Sequence, residues 1–309
     1  MESTEIRVET TDPAARERRT GWNLVKLLRP HQWAKNAFVV APLLFAREAH
    51  DPAQLVRALA AVVFFSLAAS AVYCVNDVLD APRDRMHPTK RLRPVAAGLI
   101  SPGIAKALGL VLAVLALAGG TVLSPAFARI LGVYLALNLL YTMRLKHVVL
   151  LDVLIISISF VLRVLGGAAA INVPASHWLL LCTLLLALYL AFAKRRAELR
   201  MLGSGSADHR PALVGYTPEL LDRFGSILLG ATIVAYALYT VSPETIAKFG
   251  SDRLIYGLPF VIYGLFRYLL LVEAGGDAGE PGTLALRDAP LLICVVLWIA
   301  FNAAMIYAR

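Results

Sequence analysis

The chain has 309 residues, a mean hydropathy of +0.68, and 17% charged against 59% hydrophobic residues. A soluble domain carries roughly 25% charged and about half apolar residues, so the composition excludes an ordinary soluble globule and points to an all-α polytopic membrane protein. The formal charge of +9 has no basic soluble domain to sit on, which argues against nucleic acid as a partner and for the membrane.

Residues 1–22 are polar, include Arg16, Arg18 and Arg19, and lack the early apolar core of a cleavable signal. They are expected to form a disordered or surface-lying cytoplasmic leader, with residues 23–309 as a single membrane domain. Apolar runs then predict nine spans, at about 35–48, 53–80, 103–121, 125–143, 148–171, 176–194, 223–241, 253–272 and 288–307. The first is short and broken at Pro42, so its start is expected nearer Trp22, partly in the interface.

Basic residues are distributed unevenly. Lys26, Arg29 and Lys35, Arg83 to Arg93, Arg144 and Lys146, Lys194 to Arg210, and Arg287 fall on one side of the predicted spans. Arg47, Arg57, Arg129, Lys248, Arg253 and Arg309 fall on the other. Basic loops stay cytoplasmic, so the N-terminus is expected inside, the C-terminus outside, and the protein in the plasma (inner) membrane.

Cys74, Cys182 and Cys294 lie in apolar spans without close-spaced partners and read as small buried hydrophobes. Gly166 and Gly167, inside a span, predict close helix packing rather than a phosphate loop. His177 and His209 read as surface residues.

The polar residues gather where the second span ends. Asn76, Asp80 and Asp84 are four apart, along one helical stripe, and Asp77 can join that face. Converging oxygen ligands repel one another unless a cation lies among them, and Mg²⁺ suits such a set, often sharing its shell with substrate phosphates. Pro82 is expected to end or kink the helix just before Asp84. His87, Lys90, Arg91 and Arg93 follow at once, and such cations bind phosphate.

The spacing Asn76-x-x-x-Asp80-x-x-x-Asp84, with "RPHQWAKN" (Arg29 to Asn36) and "YTMRLK" (Tyr141 to Lys146), resembles the UbiA-type intramembrane prenyltransferase superfamily over roughly residues 25 to 305. The resemblance implies a nine-transmembrane-helix UbiA-like bundle that binds a phosphorylated isoprenoid through Mg²⁺, with Asn76, Asp77, Asp80 and Asp84 as metal ligands. It also puts Tyr141 and Lys146 near the diphosphate, an interfacial belt aromatic being the other reading of Tyr141. Gln32, Lys35 and Asn36 enter the first span, and Lys35 either contacts phosphate or snorkels.

Aromatic-substrate members carry a second acidic motif after the sixth span, where this chain reads "FAKRRAELRML". Lys194, Arg195 and Arg196 there favour direct phosphate contacts over a second metal. That departure, with "HPTKRLRP" (His87 to Pro94), resembles the decaprenyl-phosphate phosphoribosyltransferase branch. The branch implies phosphoribosyl pyrophosphate and a polyprenyl phosphate as substrates, in the synthesis of cell-wall arabinan precursors. An aromatic prenyltransferase is the rival reading, and a transporter built on Asp152 and Arg163 a third. Those two residues lie eleven apart on one face of the fifth span, too far to pair with each other. They predict ligand contact or other partners. Isoprenoid length, one or two metal ions, and a homo-oligomer are left open.

Overall fold

The computed structural model of the chain describes residues 13–202, 211–274, 284 and 287–307, and every regular element among them is helical. In order these are α1 (Pro13–Leu28), a 3-10 helix (Pro30–Val39), α2 (Ala41–Phe45), α3 (Pro52–Asp84), α4 (Pro102–Leu123) and α5 (Pro125–Met143). There follow α6 (Leu151–Ala170), α7 (His177–Leu202), α8 (Pro218–Val241), α9 (Pro243–Phe249), α10 (Leu258–Glu273) and α11 (Ala289–Tyr307). α1 thus takes in the second half of the polar leader. His209, Arg210 and Arg309 lie outside the described residues.

Five helix starts share one signal, a capping side chain followed by proline. Asp51, Ser101, Ser124, Thr217 and Ser242 each accept a backbone N–H from the first turn, and Pro52, Pro102, Pro125, Pro218 and Pro243 follow them. The cap satisfies an orphan donor, worth about 1 kcal/mol, and proline's fixed φ suits the first helical position.

Among the described residues, eight helices are long and apolar enough to cross a membrane. The first of the nine expected spans is not one of them. Its residues form the 3-10 helix, a break at Val40 and the five-residue α2, with a proline opening each piece and Gln32 and Asn36 buried. The segment still joins the two ends of the bundle. Arg29, before it, bonds Asp77, and Arg47, after it, donates to the carbonyls of Ile306 (2.8 Å) and Lys248 (3.3 Å). A 3-10 helix rises about 2.0 Å per residue, which lets so short a segment reach that far.

α3 has 33 residues, about 50 Å at 1.5 Å per residue, against about 30 Å of hydrocarbon. The surplus carries Asn76 to Asp84 beyond the apolar stretch. Pro82 does not end this helix as expected, because α3 runs through Asp84. The ring removes one hydrogen bond so close to the C-terminus that little helix is left to break. Arg85 N–H still reaches the Ala81 carbonyl at 3.2 Å.

At the far end of α3, Arg57 donates to the carbonyls of Ala170 and Leu123, both at 2.8 Å, and so caps the C-terminal ends of α6 and α4. Arg47, Arg57, Lys248 and the end of α11 therefore share one end of the bundle, opposite Asp77, as the charge distribution predicts.

Small residues set the helix spacing. The face of α3 buries Ala58, Ala61, Ala68 and Ala71, and Cys74 and Cys294 are buried free thiols, with Cys182 half-buried. Gly166 packs on the Phe65 ring, and a Cβ on Gly167 would lie 1.9 Å from the Val39 carbonyl oxygen. Gly167→Ala is expected to lower stability by about 1–3 kcal/mol, because backbone cannot swing aside as a side chain can. A thermal melt in detergent checks this, with Gly119→Ala as the contrast, since the three atoms nearest that Cβ all belong to the Phe64 ring. Equal melting of Gly167→Ala and wild type would refute the close approach.

Candidate active site

The last turns of α3 project their acids toward cations delivered by three other parts of the chain. Asp77, 1% exposed, bonds Arg29 from the turn after α1. Asp84 Oδ2 accepts from Arg93 Nη1 at 2.6 Å, and the same nitrogen lies 3.8 Å from Asp77 Oδ1. Asp80 Oδ1 accepts from Lys146 Nζ at 2.5 Å, bringing in the loop after α5. Asn76 is half-buried on the same stripe.

Arg29 is held in an unusual way. Its backbone is left-handed, with φ 53°, and its guanidinium lies 5.0 Å from the Tyr73 ring centroid. Non-glycine residues avoid that region unless their surroundings hold them there, and the ring face favours the cation.

The loop after α3 is organised by His87, whose Nδ1 accepts from the N–H groups of Thr89 (3.3 Å) and Lys90 (3.4 Å). That turn leaves Lys90 and Arg91 exposed at the lip of the site and Arg93 half-buried inside it.

Lys194, Arg195 and Arg196, expected to contact phosphate together, lie on different faces of α7. Consecutive helical residues point about 100° apart, so the three diverge. Arg195, 1% exposed, turns inward, with Nε donating to Asp152 Oδ2 at 2.7 Å and Nη1 to Glu198. Arg196 turns the other way, to Asp222 and to Glu273 Oε1 at 2.7 Å, and Arg200 joins Glu273 at 2.8 Å. These bonds tie α7 to α8 and α10. Lys194 is half-buried, and Tyr141, also half-buried, lies within electrostatic reach of Arg195.

Asp152 and Arg163 find separate partners. Tyr216 donates its hydroxyl to Asp152 Oδ1 at 2.7 Å and accepts from Leu150 N–H at 2.8 Å. Leu150 has φ 68°, a strained conformation for a leucine, and Tyr216 holds it beside the acid. Burial, then the bond to Asp152, raises the Tyr216 phenol well above its ordinary pKa, so it stays a donor. Arg163 donates to Asn36 Oδ1 (2.8 Å), the Ser159 carbonyl (2.9 Å) and Tyr134 Oη (2.9 Å). Asn36 passes the network on to Ser66 Oγ at 2.9 Å. Eleven residues of α6 separate Arg163 from Asp152, about 16 Å, so Asn36 and Arg163 brace the bundle interior rather than the acidic end. Gln32 is buried nearby in sequence and Lys35 is half-buried.

Arg29, Tyr134, Tyr216, Asp222 and Glu273 are the site and bracing residues that sequence reasoning passed over. Only Arg29 left a signal, in the "RPHQWAKN" run, where it counts as a topology charge.

Together the apolar helices and the charged end of the bundle describe a multi-pass membrane protein whose polar groups gather at one end. Residues 37–280 match the UbiA prenyltransferase family, and the chain belongs to that family. It is 38% identical over 287 residues to the decaprenyl-phosphate phosphoribosyltransferase of Mycobacterium tuberculosis, covering 92% of this chain and 94% of that one. The enzyme of that name from Mycolicibacterium smegmatis is 35% identical over 318 residues, covering 99% of each. A UbiA homolog from Archaeoglobus fulgidus, solved bound to DMAPP and Mg²⁺, superposes with a TM-score of 0.70 at 19% identity, over 93% of this chain and 100% of that one.

The family implies a divalent cation, and the donors here suit one. Asp77, Asp80, Asp84 and Asn76 offer only hard oxygens, and Asp77 Oδ2 is buried without a hydrogen-bond partner. Among the described residues no three His, Cys, Asp or Glu side chains converge as a ready metal cluster. The cations Arg29, Arg93 and Lys146 each hold one oxygen of Asp77, Asp84 and Asp80.

Proposed function

We propose that this enzyme transfers the 5-phosphoribosyl group of phosphoribosyl pyrophosphate to a polyprenyl phosphate such as decaprenyl phosphate, releasing pyrophosphate, in the making of a cell-wall arabinan precursor. The observation that carries this reading is full-length likeness to two enzymes named for that reaction. The charge of the site agrees with it, since basic residues face the α3 acids and the position of a second acidic motif is basic.

In the reaction the bond from the anomeric carbon to pyrophosphate breaks, and a lipid phosphate oxygen forms the new bond from the opposite face. A phosphate monoester is already anionic, so no strong general base is needed, and positioning with charge stabilisation suffices. Asn76, Asp77, Asp80 and Asp84 would hold Mg²⁺, which when bound neutralises the leaving pyrophosphate. Arg93 and Lys146 bind phosphate oxygens beside those acids, and Lys90, Arg91 and His87 shape and charge the lip. Arg195 keeps Asp152 and the head of α6 in place. The acidic end and the N-terminus face the cytoplasm of a plasma membrane, where a soluble phosphoribosyl donor is available, and the C-terminus faces out.

Membranes carrying the protein, given radiolabelled phosphoribosyl pyrophosphate, polyprenyl phosphate and Mg²⁺, are expected to form a labelled lipid. Product from a prenyl diphosphate and an aromatic acceptor, with none from the phosphoribosyl donor, would overturn the reading.

A further inference from the structure

Two kinds of buried ion pair stand at this end of the bundle. In Arg195–Asp152 both side chains are sealed, at 1% and 0% exposure. In the pairs on α3 the cation is the more open member for Asp77 and Asp84. Arg29 and Arg93 are 16% and 24% exposed against 1% and 6% for their acids, and Lys146 and Asp80 are both partly open. Arg29 and Arg93 thus cover their acids from the open side, while Lys146 and Asp80 lie side by side, at 12% and 22% exposure.

Asp77, Asp80 and Asp84, the acids that would serve a metal, already each hold a cation. Lys146 Nζ lies 2.5 Å from Asp80 Oδ1 and Arg93 Nη1 lies 2.6 Å from Asp84 Oδ2, so a metal drawing on these carboxylates competes with a cation for the same negative charge. Charge decides what can replace what. Three acids facing three cations are neutral as a set. A divalent metal entering alone leaves its full charge uncompensated among Arg29, Arg93 and Lys146, and a diphosphate entering alone leaves its charge among the acids. Entering together they offset most of each other's charge: the metal takes the acids and the diphosphate takes the cations. Uncompensated charge in such a buried place is costly.

We propose that Arg29–Asp77, Arg93–Asp84 and Lys146–Asp80 form an ion-pair exchange, in which the three cations pass from carboxylate to phosphate as metal and diphosphate bind. The exchange makes the two ligands obligate partners, each strengthening the other by the same factor. It rests on the reading of this end as a metal–phosphate site. Its test uses pyrophosphate and no lipid, so it stands or falls whether or not the chain transfers a ribosyl group.

The test is calorimetry on the full chain in nanodiscs, with MgCl₂ alone, pyrophosphate alone, and pyrophosphate at saturating Mg²⁺. For wild type each ligand is expected to tighten the other about tenfold. In Lys146→Met the two constants are expected to move in opposite directions. Mg²⁺ alone binds several-fold more tightly, because Asp80 no longer has a competing cation, while pyrophosphate with Mg²⁺ binds about tenfold more weakly. Lys146→Arg is expected to restore both. A folded Lys146→Met protein in which both constants weaken together, or neither moves, makes the pair a fixed structural bridge and overturns the proposal. Should Lys146→Met fail to fold, the same measurement on Arg93→Met decides it, since that side chain is the most open of the three cations.

Discussion

Asp80→Asn and Asp84→Asn are each expected to lower the initial rate of labelled-lipid formation by about 10²-fold or more, the scale on which a preorganised charge contact acts in a transition state. Asparagine keeps the shape and can still accept from Lys146 or Arg93, so what changes is the charge. Asp84 is buried and Asp80 partly open, and both lie in the last two turns of α3, beyond the helix's packed middle. Melting points in detergent are therefore expected to stay within a few degrees of wild type. Asp222→Asn supplies the comparison. Asp222 is also an acid paired with an arginine, Arg196, but on the α8 side of α7 and 47% exposed. Its loss is expected to leave the rate nearly unchanged. Full activity in both Asp80→Asn and Asp84→Asn would remove α3 as the source of metal ligands, and an equal loss in Asp222→Asn would show that any lost acid harms the fold.

The spans were legible wherever apolar residues ran unbroken, as in α3 to α8, because hydrocarbon thickness alone fixes the length of such a run. The first is helical but broken into two short pieces, and its polar groups find partners inside the protein. Asn36 bonds Arg163 and Ser66, and those partners lie 127 and 30 residues away. The stripe from Asn76 to Asp84 was legible from its spacing of four, since helical periodicity is local. Its counter-ions were not, since Arg29 to Asp77 and Lys146 to Asp80 are pairings across 48 and 66 residues. The divergence of Lys194, Arg195 and Arg196 could have been read from their positions, because three adjacent residues in a helix cannot share a face. Pro82 misled because its penalty was set by how much helix follows it, which the residue type alone does not state.

Arg195→Met is expected to destabilise the protein by about 3–5 kcal/mol, the usual penalty for leaving one member of a sealed ion pair behind. Asp152 is wholly buried, and with Arg195 gone its only described partner is the Tyr216 hydroxyl at 2.7 Å. Asp152→Leu alone is expected to do similar harm, as it leaves Arg195, among the described residues, with Glu198 as its remaining acid partner. The double variant Arg195→Met with Asp152→Leu is expected to recover most of the lost stability, because replacing a buried pair by apolar side chains of similar volume is often close to neutral. Activity should follow stability in this cycle, since an arginine 1% exposed has no surface to offer a phosphate. Tyr216→Phe adds a separate check. It removes both the donor to Asp152 and the acceptor for Leu150 N–H, and is expected to cost about 1–3 kcal/mol in the native protein but markedly less once Asp152 is leucine. Thermal melts paired with the labelled-lipid assay read both quantities. A double variant that is stable yet inactive would return Arg195 to the phosphate-binding role that its place in Lys194-Arg195-Arg196 suggests.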